Sequence, residues 1–138
     1  MSGSVVMFDE MLAAMHRSGC RFVAVGSVAR ALTGEQVVPH DLDVMIDASA
    51  DGRRCLRRAL VDLGATVETR DGWRRIEQCP ALPWEWGFRA LTAAGQVDLI
   101  TRFVDGTTID DHDAHATTVQ LCAGFAVRVH PTRHVEAA

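Results

Sequence analysis

The chain has 138 residues and a formal net charge of −4, with 48% hydrophobic and 23% charged residues. This length and composition are typical of an ordinary globular protein, so we expect a single domain over residues 1–138. Lys is absent and every basic residue is Arg or His, which excludes P-loop, Schiff-base and kinase-type lysine chemistry.

From the sequence we expect neither a membrane span nor a secretory signal. No apolar run approaches the roughly 20 residues that span a bilayer, and residues 1–7 lack the basic and apolar regions of a secretory signal. We therefore expect a cytoplasmic protein without a membrane partner. The four cysteines include no C-x-x-C pair, so a zinc ribbon is not predicted. The acidic net charge argues against a free-standing RNA-binding protein.

The first half of the chain alternates between helical and strand patterns. Apolar residues recur at helical spacing, form short buried runs or alternate as in a half-exposed strand, and glycines end several elements. In chain order we predict a helix at 7–17, a strand at 20–25, a short helix at 28–32, a loop at 35–40, a strand at 41–47, a helix from the Ser49 cap to residue 63 and a strand at 65–69.

The second half of the chain is richer in strand and turn signals. Trp84 and Trp86 are predicted to share one strand face, where hydrophobic packing is the preferred use and base stacking the alternative. In chain order we predict strands at 73–76, 84–92 and 96–103, a short helix at 110–118, and a hairpin of strands at 119–122 and 125–130. Together, these helices and strands predict an α/β (α+β) fold with a mixed sheet flanked by helices on one side.

Two carboxylates stand two residues apart on one predicted strand. Asp41 and Asp43 alternate with apolar neighbours, so their side chains point to the same face, roughly 6.5–7 Å apart along the strand. Like charges this close raise each other's pKa unless a cation is present, and carboxylate oxygens suit Mg²⁺. Exposed strand carboxylates are common, so this pair alone does not specify a metal site.

Gly26 and Ser27 stand at the end of the preceding strand and open a helix. Glycine lets a phosphate approach the backbone, free N–H groups at a helix start attract anions, and Ser27 adds a hydroxyl donor. A turn with a helix cap is the plainer interpretation of the pair. Followed by D-x-D on the next strand, the pair predicts a phosphate cradle beside a metal site.

Asp98 lies between apolar residues on a later predicted strand. A carboxylate in such a position needs a partner or a function. An ion pair with Arg89 or Arg102 is the plain alternative to metal binding.

Two other polar clusters are given plainer interpretations. The segment at 110–115 contains His112 and His115 among three aspartates and looks metal-like, but zinc needs further ligands that the sequence does not specify. A solvated acidic loop or helix start is preferred. Four arginines share one side of the helix after Ser49 and predict a solvated helical face: Arg53, Arg54, Arg57 and Arg58.

Three short motifs in this order resemble the DNA polymerase beta-like nucleotidyltransferase superfamily: Gly26-Ser27-x-Ala29-Arg30, Asp41-Leu42-Asp43 and Val97-Asp98-Leu99. The resemblance covers about residues 8–131. It is closest to the small bacterial group that contains AbiEii-type and MenT-type toxins of toxin-antitoxin systems and antibiotic nucleotidyltransferases.

This resemblance implies the nucleotidyltransferase fold and an enzyme that needs Mg²⁺ or Mn²⁺. The enzyme would move a nucleoside monophosphate from a nucleoside triphosphate such as ATP to a hydroxyl of a tRNA, a small molecule or a protein, releasing pyrophosphate. The implied catalytic and metal-binding residues are Asp41, Asp43 and Asp98. The implied nucleotide-binding residues are Gly26, Ser27 and Arg30.

The chain departs from the superfamily pattern at several positions. Many relatives carry basic and Thr residues just before D-x-D, where Val37, Pro39 and His40 stand here, and a His where this chain has Thr33. Relatives usually continue into C-terminal helices that help bind the acceptor, so a protein partner or a homodimer could supply that surface. A catalytically silent module that binds a partner or a nucleotide is therefore the alternative to the enzyme.

Overall fold

The structure is a computed structural model that describes residues 8–39 and 41–132. Predictions that involve Met7, His40 or the tail from residue 133 lie outside these residues. The helices are α1 (Asp9–Arg17), α2 (Gly26–Leu32), α3 (Ala50–Asp62) and α4 (Ile109–Asp113), with a 3₁₀ turn at Ile76–Gln78. The strands are β1 (Phe22–Val25), β2 (Leu42–Ile46), β3 (Thr66–Thr69), β4 (Gly72–Arg75), β5 (Gly87–Thr92), β6 (Gly95–Ile100), β7 (Thr117–Gln120) and β8 (Ala126–Val129).

In the described part of the chain these strands form one mixed sheet in the order β4-β3-β5-β6-β2-β1-β8-β7. β2 lies between β1, to which it is antiparallel, and β6, to which it is parallel. β8 runs parallel to β1 on its other side. The predicted mixed sheet is confirmed, and β2, which carries D-x-D, lies inside the sheet rather than at an edge.

One face of the sheet carries the main hydrophobic core, which it shares with α1, α2 and α3. Because side chains alternate along a strand, every second residue of β2 and β6 enters this core. These core residues are at most 3% exposed, and they are Leu42, Val44, Ile46, Val97 and Leu99. Each such burial contributes roughly 1.5–3 kcal/mol. The burial of these aliphatic residues therefore determines which face of β2 and β6 is left for polar side chains.

The opposite face carries a smaller apolar cluster. Val23 and Val25 of β1, Met45 of β2 and Ile100 of β6 pack there with residues around α4. Helices on one side were predicted. The three longer helices do lie on one side, and the short α4 additionally covers part of the other face.

None of the helices among residues 8–39 and 41–132 is long and apolar enough to cross a bilayer.

The helix predicted after Ser49 is confirmed together with its cap. The Ser49 hydroxyl oxygen accepts a hydrogen bond from the Gly52 N–H at 3.2 Å, and α3 begins at the next residue after Ser49. Of the four arginines predicted to line a solvated face of α3, three are exposed. Arg57 instead donates to the carbonyl oxygens of Ile76 at 3.2 Å and Cys79 at 2.7 Å. This side chain thereby holds the 3₁₀ turn against α3.

The prediction that Trp84 and Trp86 share a strand face is wrong. β5 begins only at Gly87, and both tryptophans lie in the turn before it. Gly87 has φ 125°, and a Cβ there would clash with the Leu99 carbonyl oxygen, so the strand starts where glycine permits this close approach. Trp84 packs edge-on against Phe88 with 5.3 Å between ring centroids, whereas Trp86 is 36% exposed.

The helix predicted at 110–118 is shorter than expected. The first part of the predicted helix is α4. The last predicted residues, Thr117 and Thr118, belong to β7 instead, because they are β-branched and pair with β8. The predicted helix start is correct. The predicted solvation is wrong for His112, which is 8% exposed.

Candidate active site

Three predicted aspartates lie together at one end of the paired strands β2 and β6. Asp43 and Asp98 are direct partners in the parallel register of the two strands. Both point away from the main core, because their neighbours along each strand point into it. Asp41 precedes β2 and accepts a hydrogen bond at 3.3 Å from Gln96, which lies two residues before Asp98. The three side chains therefore lie near one another at this part of the sheet, and their convergence within metal-bridging reach stays a prediction.

Asp43 has the electrostatic signature of a crowded, buried carboxylate. Burial raises the pKa of Asp43 from 3.8 to about 7, aided by the charge of Asp98, a side-chain hydrogen bond with Asp98 and the charge of Asp41. The positive charge of Arg89 opposes this rise. A cation beside these carboxylates would relieve the part of this rise that comes from their mutual repulsion.

Arg89 forms an ion pair with Asp98 across the β5–β6 hairpin. Its Nε lies 2.8 Å from the Asp98 Oδ1 atom. The sequence offered Arg89 or Arg102 as the plain partner of this carboxylate, and Arg89 takes that place. Arg102 instead lies over the ring of Trp86, 4.1 Å from its centroid.

The three carboxylates have the chemistry of a divalent-metal site, although their side chains are engaged elsewhere. In the part of the chain that the structure describes, no group of three or more His, Cys, Asp or Glu side chains is arranged to hold a metal ion as it stands. Asp98 is directed to Arg89 and Asp41 to Gln96. The donor set consists of carboxylate oxygens, which suit Mg²⁺ or Mn²⁺. Burial, and after it the charges of Asp98 and Asp41, raise the pKa of Asp43, and a cation would offset the part that comes from these charges. The residues fit such an ion, and their role as ligands stays a prediction.

The Gly26-Ser27 turn lies at the same end of the sheet as the aspartates. Val25 is the antiparallel partner of Asp43, so the turn follows directly after the residue that faces this aspartate. Gly26 has φ 69°, a left-handed conformation that glycine adopts without strain. Its N–H donates to the Thr132 hydroxyl at 3.2 Å, whereas α2 has no side-chain cap. The predicted phosphate contacts of Gly26 and Ser27 stay predictions, with geometry that places them beside Asp43.

Arg30 is directed toward the other end of α2. Its Nε and one terminal nitrogen donate to the two carboxylate oxygens of Glu35 at 3.1 and 2.9 Å. This forked pair ties the end of α2 to the loop that follows. The nucleotide contact predicted for Arg30 stays a prediction.

One residue of the site, Gln96, was not singled out from the sequence, and Arg89 was named only as a possible ion-pair partner of Asp98. Gln96 orients Asp41, and Arg89 neutralises Asp98. A signal for Gln96 was available, since it lies two residues before Asp98 on the same strand and therefore shares its face. For Arg89, the sequence suggested an ion pair but could not place the arginine within the aspartate cluster.

Comparison with known proteins agrees with this geometry. The family model described as aminoglycoside-2''-adenylyltransferase matches residues 7–81, more than half of the chain. The matched segment contains the Gly26-Ser27 turn and both aspartates of D-x-D, and it ends before Asp98. Curated proteins yield no match.

Solved structures show a similar fold. The solution structure of the antibiotic-resistance factor ANT(2'')-Ia has 19% identity and a TM-score of 0.55 over 91% of this chain and 64% of that one. The crystal structure of ANT(2'')-Ia in complex with adenylyl-2''-tobramycin has 18% identity and a TM-score of 0.56 over 94% and 70%. A putative nucleotidyltransferase from Thermotoga maritima has 17% identity and a TM-score of 0.57 over 88% and 74%.

This chain thus spans about two thirds of the length of the ANT(2'')-Ia chains. The predicted nucleotidyltransferase fold is confirmed by these neighbours, and the predicted kinship with an enzyme superfamily by the family match. Because the family model covers more than half of the chain, this protein belongs to the aminoglycoside-2''-adenylyltransferase family.

Proposed function

We propose that this chain is a cytoplasmic, Mg²⁺- or Mn²⁺-dependent nucleotidyltransferase that moves a nucleoside monophosphate from a nucleoside triphosphate to a hydroxyl of a small molecule. The observation that carries the proposal is the direct pairing of Asp43 with Asp98 across β2 and β6, with Asp41 beside them. ATP as donor and an aminoglycoside-like acceptor are supported by the name of the family. A tRNA acceptor, as in the toxin branch of the superfamily, and a protein acceptor are the other outcomes of the test.

Each residue has a defined part in this proposal. Asp41 and Asp43 would hold the metal ion that accompanies the triphosphate, and Asp98 would complete a second metal site. When bound, such ions neutralise phosphate oxygens and stabilise the attacking and leaving oxygens of an in-line displacement. Asp98 is the carboxylate that would receive the proton of the acceptor hydroxyl as the new ester bond forms and pyrophosphate leaves.

The turn after β1 is the proposed binding place for the triphosphate. The Gly26 N–H is already engaged by Thr132, so Gly26 contributes mainly a backbone conformation that other residues adopt only with strain. The hydroxyl and N–H of Ser27 are the groups proposed to bind phosphate oxygens. Arg30 would act indirectly, because its pair with Glu35 fixes the helix that carries these groups.

A second candidate function is favoured by the ion pair between Arg89 and Asp98. This pair neutralises Asp98 with a charge from the chain itself. The pair engages Oδ1 of Asp98, so in the enzyme Asp98 would bind metal or accept a proton through its other oxygen, or the pair would open. In a catalytically silent module the pair would persist while nucleotide or a partner, including a second copy of the chain, binds next to it.

Transfer of label from nucleoside triphosphates separates these two functions. The purified chain is incubated with each α-labelled triphosphate, Mg²⁺ or Mn²⁺, and separate pools of aminoglycosides, tRNA and protein. We expect a labelled small-molecule product and equimolar pyrophosphate. Asp43→Asn should abolish transfer, and Asp71→Asn, which alters an exposed carboxylate in the β3–β4 turn, should leave it unchanged.

The enzyme proposal is refuted if wild type transfers no label with any pairing of donor and acceptor, or if Asp43→Asn transfers as well as wild type. Nucleotide binding without transfer, unaltered by Arg89→Met, would support the silent module. Transfer to tRNA alone would retain the reaction class and replace the acceptor.

A further inference from the structure

A continuous chain of polar side chains lies outside the aspartate site. His130, directly after β8, approaches His112 of α4 with 2.9 Å between their Nδ1 atoms. The Nε2 atom of His112 lies 2.8 Å from the Thr107 hydroxyl oxygen, and that hydroxyl donates to Asp105 at 2.6 Å. His112 is 8% exposed. A buried imidazole with both nitrogens engaged is an orienting element rather than a solvated surface group.

The direction of each hydrogen bond in this series of side chains follows from Asp105, the group at its end. A carboxylate only accepts, so the single proton of the Thr107 hydroxyl is given to Asp105. The Thr107 oxygen must then accept from the Nε2–H of His112. Burial lowers the pKa of His112, and the neutral ring keeps a lone pair on Nδ1. That lone pair accepts the Nδ1–H of His130, which leaves the Nε2 atom of His130 for a ligand.

His130 lies level with the aspartates on the same face of the sheet. Ala24 is the parallel partner of Val129, and the His130 N–H donates to the Ala24 carbonyl oxygen at 2.9 Å. His130 therefore comes level with Val25, which is the partner of Asp43. Ala24 and Val129 belong to the main core, so the alternation of side chains turns His130 to the opposite face, that of Asp43.

The position of His130 matches the far end of a bound triphosphate. Adjacent strands are about 4.8 Å apart, so His130 stands roughly 10 Å from Asp43, with β1 between them. The Gly26-Ser27 turn follows the end of β1 and therefore lies between Asp43 and His130. Thr132, two residues after His130, already contacts this turn. A triphosphate whose α-phosphate lies at the aspartates and which passes the turn would extend toward His130.

We propose that His130 is a further nucleotide-binding residue, which contacts the pyrophosphoryl end of the triphosphate through Nε2, and that Asp105, Thr107 and His112 position it. This inference rests on the proposed function, because it takes the α-phosphate to lie at the aspartates. Contact with a phosphate oxygen needs a proton on Nε2, which His130 takes up from solvent when the anion binds. Its Nδ1–H continues to donate to His112, whose acceptor strength is increased by the hydrogen bonds that link His112 through Thr107 to Asp105.

The surroundings of His130 give the direction of its pH dependence. His112 and His115 face it from α4 and from the turn after α4, the rings of His115 and His130 being 6.0 Å apart, and β1 contributes the apolar Ala24 and Val25. Burial and the charge of His115 lower the pKa of His130. The free protein therefore holds His130 neutral near pH 7, and pyrophosphate binding weakens as the pH rises.

Calorimetric titration of the intact chain with Mg²⁺-pyrophosphate, Mg²⁺-ATP and AMP at several pH values tests this proposal. A hydrogen bond to a charged group corresponds to roughly tenfold to a hundredfold in affinity. We expect His130→Ala to lose about that factor for pyrophosphate and ATP but to bind AMP as wild type does. His16→Ala, which removes an exposed imidazole on α1, is the matched control and should bind all three ligands normally.

Thr107→Val gives an independent test that leaves His130 in place. This variant separates His112 from Asp105, so its affinity for pyrophosphate should fall and the decline with pH should begin at lower pH. Unaltered pyrophosphate affinity of His130→Ala at every pH overturns the proposal, and an unaltered pH profile of Thr107→Val overturns the positioning role. If wild type transfers nucleotide but His130→Ala binds ATP normally, this inference fails and the proposed function stands. If wild type binds no triphosphate, both fail.

Discussion

Replacing Asp43 by Asn removes one charge from the centre of the proposed site while keeping the shape of the side chain. Burial and the nearby Asp98 raise the pKa of Asp43 from 3.8 to about 7. A carboxyl with a raised pKa in the folded state favours folding at low pH, and this contribution is lost as the pH rises through the folded-state pKa. The metal-free wild type should therefore lose stability between about pH 4 and pH 7.

The size of this effect follows from the displacement of the pKa. Each pKa unit corresponds to about 1.36 kcal/mol, so the displacement of Asp43 corresponds to about 4 kcal/mol. We expect Asp43→Asn to gain roughly 2–4 kcal/mol in unfolding free energy relative to wild type when the pH rises from 4.5 to 8.

Urea unfolding followed by tryptophan fluorescence, in EDTA at pH 4.5 and pH 8, measures this gain. The exposed-site variant Asp71→Asn serves as the control and should follow wild type at both pH values. Added Mg²⁺ should stabilise wild type at pH 8 and stabilise Asp43→Asn much less, because the variant lacks one ligand charge. A stability difference between Asp43→Asn and wild type that is the same at both pH values would refute the electrostatic reasoning.

Three further predictions concern the scaffold of the site. Leu42→Ala should lower the unfolding free energy by roughly 2–5 kcal/mol in urea titrations, because Leu42 is 0% exposed in the main core; a loss under 1 kcal/mol would contradict the packing. Arg57→Ala should cost about 1.5–3 kcal/mol by the same measurement, since its charged hydrogen bonds hold the 3₁₀ turn, whereas the exposed Arg58→Ala should cost little. Gly26→Ala should cost about 1–2 kcal/mol from its left-handed backbone and weaken ATP binding in calorimetry; unchanged affinity would separate the turn from nucleotide binding.

Local patterns in the sequence were sufficient for the strand that carries D-x-D. Leu42 and Val44 alternate with Asp41 and Asp43, and a period of two allows one face to be buried and the other polar. The same alternation supports the placement of Asp98 on β6. Boundaries were less predictable where a single glycine or a β-branched pair decides them, as at Gly87 and Thr117.

The meeting of these elements depends on contacts between distant parts of the chain. Asp98 faces Asp43 because β6 adds to β2 in parallel, and Arg89 reaches Asp98 only through the register of the β5–β6 hairpin. Strand order and register follow from the summed burial of many apolar residues, which no short segment encodes.

The polar chain from His130 to Asp105 shows the same limit of local reasoning. Because His112 stands in an acidic segment of the sequence, its side chain was expected to be solvated. The packing of α4 against β1 and β2 instead buries its ring beside His130, 18 residues away. Alternation and turn residues within one strand thus predict which carboxylates share a face. The residues that contact those carboxylates are brought to them only when burial joins separate strands into one sheet. The same holds for the polar side chains from His130 to Asp105, which lie on the same face.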